Sequence, residues 1–130
     1  MDPVVLNPTV YLETSVVSYL TDQPSQDVAT AAYQEITREW WRSAPSRFSL
    51  VASELVVTEA ASGDSDAARA RLAALRTIPL VDVTEEATEL SRKLVDRGAV
   101  PPSAADDAAH IATAAATGVE YLVTWNFRHT

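Results

Sequence analysis

The chain has no cysteine, which excludes a disulfide frame and a zinc–thiolate site. It has three glycines. Neither a GxxxxGKS/T nor a GxGxxG pattern occurs, and so few glycines leave little scope for a loop whose backbone cradles phosphates. A serine-centred nucleophile elbow is also missing. No apolar run approaches the roughly 18 residues of a membrane helix. The opening residues, MDPVVLNP, lack the basic region of a secretory signal. These absences describe a soluble, cytoplasmic globular protein, and 130 residues suffice for one domain, 1–130, with a real core. Positive charge is scarce too: the net charge is −8, which argues against binding nucleic acid by phosphate contacts alone. Yet nine of the ten basic residues are arginine, the better phosphate partner. A hydrolase that holds a divalent cation must also concentrate carboxylates, with the same effect on net charge.

What is present is an alternation of short apolar runs with helical patterns. Residues 9–13 (TVYLE), 48–52 (FSLVA), 80–83 (LVDV) and 120–124 (EYLVT) read as strands. Thr14 or Ser15 is placed to cap a short helix over VVSYL. A long helix is expected over Asp27–Arg42, with Ala31, Ile36 and Trp40 near helical spacing and Pro45 ending the region. Further helices are expected from Ser53 to about Ser62, over Asp64–Leu75, and from Thr84 to Arg97. An Ala-rich helix to Thr117 follows Ser103 and Asp106, which have capping-box spacing. Gly63, Gly98 and Gly118 stand where helices stop. Short strands apolar on both faces, alternating with helices, imply a parallel sheet covered on both sides. Ligands then bind beyond the carboxyl ends of the strands. Glu13, Thr14 and Ser15 follow the first strand, Ser53 the second, and Thr124 and Asn126 the last.

Helical phase separates the acids near those ends. In SELVVTEAASG, Glu59 shares a face with Leu55 and Val56, whereas Glu54 lies in the first turn, where the helix dipole favours it. In DDAAHIATAAAT, Asp106, His110, Thr113 and Thr117 form a polar stripe. Asp107 falls instead on the stripe of Ala108, Ile111, Ala114 and Ala115. His110 reads first as a hydrogen-bonded imidazole at the helix edge rather than as a ligand. Glu13, Glu59 and Asp107 thus occupy places where core residues are normally apolar. Three separately buried carboxylates would be badly destabilising; three converging on one cation would not. Oxygen ligands without Cys or a His pair suit Mg²⁺ or Mn²⁺. Such an ion activates water and stabilises charge on a phosphodiester. Trp40, Trp41 and Trp125 offer faces for stacking bases, although aromatic residues at helical spacing more often serve a core or an interface.

The segments YLETS, SELVVTEAASGD and DDAAHIATAAATGVEYLVTWNFRH, in this order and spacing, resemble the PIN-domain proteins of the VapC-like toxin group over essentially the whole chain. The resemblance implies a three-layer α/β/α fold and a Mg²⁺- or Mn²⁺-dependent endoribonuclease. Its metal acids fall on Glu13, Glu59 and Asp107, and its assisting hydroxyl on Thr14 or Ser15. The fourth acidic position falls on Asn126, beside Thr124. The partners it implies are an RNA substrate, a cognate antitoxin and a second copy of the chain. The pattern departs from the family in three ways: Glu13 replaces a commoner Asp, Asn126 carries no charge, and relatives continue beyond the position of Thr130 into a last strand and helix. An edge left open there invites a partner or a second copy. Two other readings compete: a PIN-fold interaction module with a weakened site, binding antitoxin or RNA, and a small-molecule phosphohydrolase with the same metal site.

Overall fold

Each of the four apolar runs forms a strand in the computed structural model, which describes residues 7–126. They are β1 (Thr9–Leu12), β2 (Ser49–Ser53), β3 (Leu80–Val81) and β4 (Tyr121–Val123). All pair in parallel, in the order β3-β2-β1-β4, with Val10 opposite Leu50 on one side and Tyr121 on the other. Parallel neighbours require crossovers, and helix pairs supply them. Helices α1 (Thr14–Thr21) and α2 (Val28–Arg47) link β1 to β2, and α3 (Glu54–Ala60) and α4 (Ser65–Leu75) link β2 to β3. Helices α5 (Glu85–Asp96) and α6 (Ala105–Ala116) link β3 to β4, with a 3₁₀ turn at Pro102–Ala104 before α6. The chain moves from β1 outward to β3, then returns to place β4 on the other side of β1. That reversal opens a crevice at the carboxyl ends of β1 and β4.

Alternation along β1 builds two cores. Val10 and Leu12 join Leu50, Val16 and Ala44, against which Trp40, Trp41 and Trp125 pack. Tyr11 faces the opposite side, among Val17, Val56, Ala60, Leu75 and Ala114. The sheet is therefore covered by α2 on one face and by α3, α4 and α6 on the other, the expected three layers. Fully buried side chains such as Leu12, Val17 and Val56 each contribute about 1.5–3 kcal/mol relative to exposure. Among the described residues, no helix is long and apolar enough to cross a membrane.

Helix starts follow the capping rule in α2, α3, α4 and α5. There Asp27, Ser53, Asp64 and Thr84 accept backbone N–H bonds from Thr30, Leu55, Ala67 and Ala87. Gly118, at φ +74°, turns the end of α6 toward β4.

Four expectations need correction. Neither Thr14 nor Ser15 caps α1; Glu13 occupies that position without a side-chain cap bond, because both hydroxyls are engaged by carboxylates. Ser103 does not cap α6, since Pro101 and Pro102 lead into a 3₁₀ turn and Ala104 takes the cap position. Pro45 does not end α2, which runs to Arg47. Within one turn of the end, proline removes a single helical N–H donor, and Phe48 N still donates to Ala44 O at 2.8 Å. Finally, Ile36 is half exposed while Gln34 and Thr37 are buried. Gln34 is satisfied inside because it accepts from Ser25 N at 2.9 Å and donates to Gln23 O at 3.0 Å.

Candidate metal centre

Glu13 is the first residue past β1. Its backbone N donates to Val123 O at 3.1 Å, which ties the ends of β1 and β4 together. The extended backbone of a helix start (φ −77°, ψ 154°) sends the side chain into the crevice, where only 7% of the residue is exposed. Its Oε1 accepts from Ser15 Oγ at 2.5 Å and from Thr124 Oγ1 at 2.6 Å. Both hydroxyl oxygens are fixed in turn by the TWN segment after β4. Trp125 N donates to Ser15 Oγ at 2.8 Å, and Asn126 N donates to Thr124 Oγ1 at 2.9 Å. The indole of Trp125 stacks on Tyr33, with centroids 4.7 Å apart, and its Nε1 donates to Thr37 Oγ1 at 2.8 Å. It therefore serves as an anchor of this segment.

Glu59 arrives from the last turn of α3. Its Oε1 accepts from Thr14 Oγ1 at 2.5 Å and from His110 Nε2 at 2.6 Å. Thr14 thus holds the second acid while its neighbour Ser15 holds the first. Burial pushes the Glu59 carboxyl up, but hydrogen bonds from His110 and Thr14 outweigh it and hold the group below its ordinary value. Behind this contact lies a buried polar chain: His110 Nδ1 is 2.7 Å from Tyr11 Oη, which is 2.7 Å from Ser53 Oγ. Burial raises the Tyr11 hydroxyl to about 12; the Ser53 hydrogen bond opposes the shift, and the charges of Glu59 and Glu13 add to it.

Asp107, in the first turn of α6, is half-buried. Asn126 Nδ2 donates to both its oxygens, at 3.1 and 2.9 Å. Glu54 and Asp106 are exposed. His110 departs from its expected stripe: it is 1% exposed, whereas Ile111 is 44% exposed. Hydrogen-bond partners on β1 and α3, Tyr11 and Glu59, make the imidazole a core residue.

The ligand atoms of Glu13, Glu59 and His110 all lie within 4.8 Å of one another. Among the described residues, this is the group of His and acid side chains that meets so closely; Asp107 falls outside it, against Asn126. Hydroxyls hold Oε1 of Glu13, and a hydroxyl and the imidazole hold Oε1 of Glu59; neither Oε2 has a hydrogen-bond donor among the described residues, so the donor set fits a divalent ion. A cavity of about 330 Å³, walled by Leu55, Glu59, Val83 and His110, opens beside Glu59. His110 is the member that sequence reasoning missed as part of this cluster.

A parallel α/β/α sandwich with acids gathered at the carboxyl end of its central strand offers a place for a cation beside a sheet switch point. The PIN domain model matches residues 10–129, and the chain belongs to the PIN domain family. Two solved structures share the fold. One is VapC20 of Mycobacterium tuberculosis, described as a sarcin-ricin-loop-cleaving toxin; it matches with a TM-score of 0.68 and 17% identity, over 92% of this chain and 91% of that one. The other, VapBC2 of Rickettsia felis bound to a DNA fragment from its promoter, matches with a TM-score of 0.59 and 18% identity, over 92% and 89%. No curated protein matches the chain.

Proposed function

We propose that the chain is a VapC-type toxin, an endoribonuclease that hydrolyses RNA phosphodiesters with Mg²⁺ or Mn²⁺ held by Glu13, Glu59 and Asp107. A cognate antitoxin and a second copy of the chain are its partners in this reading. The observation that carries it is the meeting of Glu13 and Glu59 at the carboxyl end of the sheet, with hydroxyl donors on one oxygen of each. A divalent cation there supplies an activated water and offsets charge on the phosphodiester. Ser15 and Thr124 orient Glu13, Thr14 orients Glu59, and Asn126 orients Asp107. Membership of the PIN family and the fold shared with VapC20 and VapBC2 support the assignment. Asp107 enters on helical phase and on the family resemblance. RNA cleavage by metal-stripped protein should appear on adding Mn²⁺ and disappear in Asp107→Asn. Undiminished cleavage by that variant would remove Asp107 from the site.

One observation favours a second reading, an interaction module with a weakened metal site. Asn126 stands where the family pattern has an acid, and its amide nitrogen occupies both oxygens of Asp107. Micromolar Mn²⁺ binding by the natural chain would count against this reading; a large gain in affinity in Asn126→Asp would favour it.

A further inference from the structure

His110 is fully buried and sits between the acid pair and the core. The directions of its hydrogen bonds follow from the groups beyond it. Leu55 N donates to Ser53 Oγ at 3.2 Å, and among the described residues the Ser53 hydroxyl hydrogen has one acceptor within reach, Tyr11 Oη at 2.7 Å. The Tyr11 hydroxyl must then donate to His110 Nδ1, at 2.7 Å. Any other ordering strands a buried hydroxyl hydrogen without an acceptor. An imidazole that accepts at Nδ1 carries its proton on Nε2, and that N–H donates to Glu59 Oε1 at 2.6 Å. The same proton bars Nε2 from ligating a metal, although its distance to the acids would allow it.

We propose that His110 is a positioning residue of the metal centre: as the neutral Nε2–H imidazole, it holds Glu59 Oε1 so that Glu59 meets the cation through its other oxygen. The inference rests on the metal-site reading above and deepens it. The centre keeps oxygen ligands, because Tyr11 and Ser53 lock the imidazole nitrogen beside Glu59 in its donor form. Loss of a group that orients a ligand typically weakens metal binding about 10- to 100-fold.

The test is calorimetric titration of Mn²⁺ into the wild type, His110→Leu and His110→Gln, with ¹⁵N imidazole spectra of the wild type with and without Mg²⁺. Thermal melts check that the variants fold. Binding should weaken about 10- to 100-fold in His110→Leu and largely recover in His110→Gln, whose carboxamide N–H reaches the place of Nε2–H. The His110 signal, assigned by its loss in His110→Gln, should show the Nε2–H tautomer both without and with Mg²⁺. A wild type that binds no Mn²⁺ overturns the metal-site reading and this role with it. A wild type that binds, with His110→Leu binding equally well or His110→Gln no better than His110→Leu, overturns this inference alone. So does loss of the Nε2 proton on adding Mg²⁺, the mark of a direct ligand.

Discussion

Neutralising Glu13 should stabilise the metal-free protein and abolish its response to metal. Ligand atoms of Glu13 and Glu59 lie within 4.8 Å, so their charges repel by about 3 kcal/mol at an effective dielectric of about 20. The Glu59 side chain is 35% exposed, and solvent screening reduces this to about 1–2 kcal/mol. Relief from burying the Glu13 charge, which costs several kcal/mol per ion, acts in the same direction. Against both stands weaker acceptance from Ser15 and Thr124, about 1 kcal/mol per bond when a charged acceptor becomes a neutral amide. The balance favours Glu13→Gln by about 2 kcal/mol. For a domain of this size that raises the melting temperature by about 6–10 °C in EDTA. With Mg²⁺ at 100 times its dissociation constant, the wild type gains about 2.7 kcal/mol and the variant almost nothing, so their order reverses. Thermal melts by circular dichroism in EDTA and in Mg²⁺ read both effects. A variant that melts below the wild type in EDTA, or that Mg²⁺ still stabilises, refutes the reasoning.

Three other perturbations test neighbouring contacts. Glu59 is held below its ordinary value of 4.5, so its contribution is complete above that value and is lost as pH falls through the lower folded value. Urea titrations of metal-free protein should therefore show stability falling through the acid range, with a shallower fall in Glu59→Gln. Thr124→Val removes a donor to Glu13 and the acceptor for Asn126 N; it should cost about 1–3 kcal/mol in denaturant melts and weaken Mn²⁺ binding. Asn126→Asp replaces the donor to Asp107 by an acceptor; it should lower the melting temperature in EDTA, because two carboxylates then face each other without the amide between them.

Most of the fold was legible because four of the helices start on a local cap residue and glycines stand where helices stop. Asp27, Ser53, Asp64 and Thr84 are such cases. Where partners are remote, local signals failed. Gln34 and Thr37 are polar residues on a buried face because a loop and Trp125 meet them there. Glu13 and Glu59 were visible as acids where apolar residues belong, and Asp107 as the acid on the other stripe from exposed Asp106. His110 was hidden because its partners, Glu59 and Tyr11, lie 51 and 99 residues away. On its own helix it belongs to a polar stripe, and only the meeting of β1, α3 and α6 buries His110 and Thr113 while leaving Asp106 exposed. Thr14 and Ser15 were recognised as hydroxyls at the acid site, but their division between Glu59 and Glu13 depends on where α3 docks.

The central claim is that these acids hold a divalent ion that cleaves RNA. Its most direct test is incubation of metal-stripped protein with total RNA, without metal and with added Mn²⁺, beside a folded Glu59→Gln control. The account predicts cleavage by the wild type only when Mn²⁺ is present and none by the variant. Cleavage in EDTA, or equal cleavage by Glu59→Gln, would contradict it.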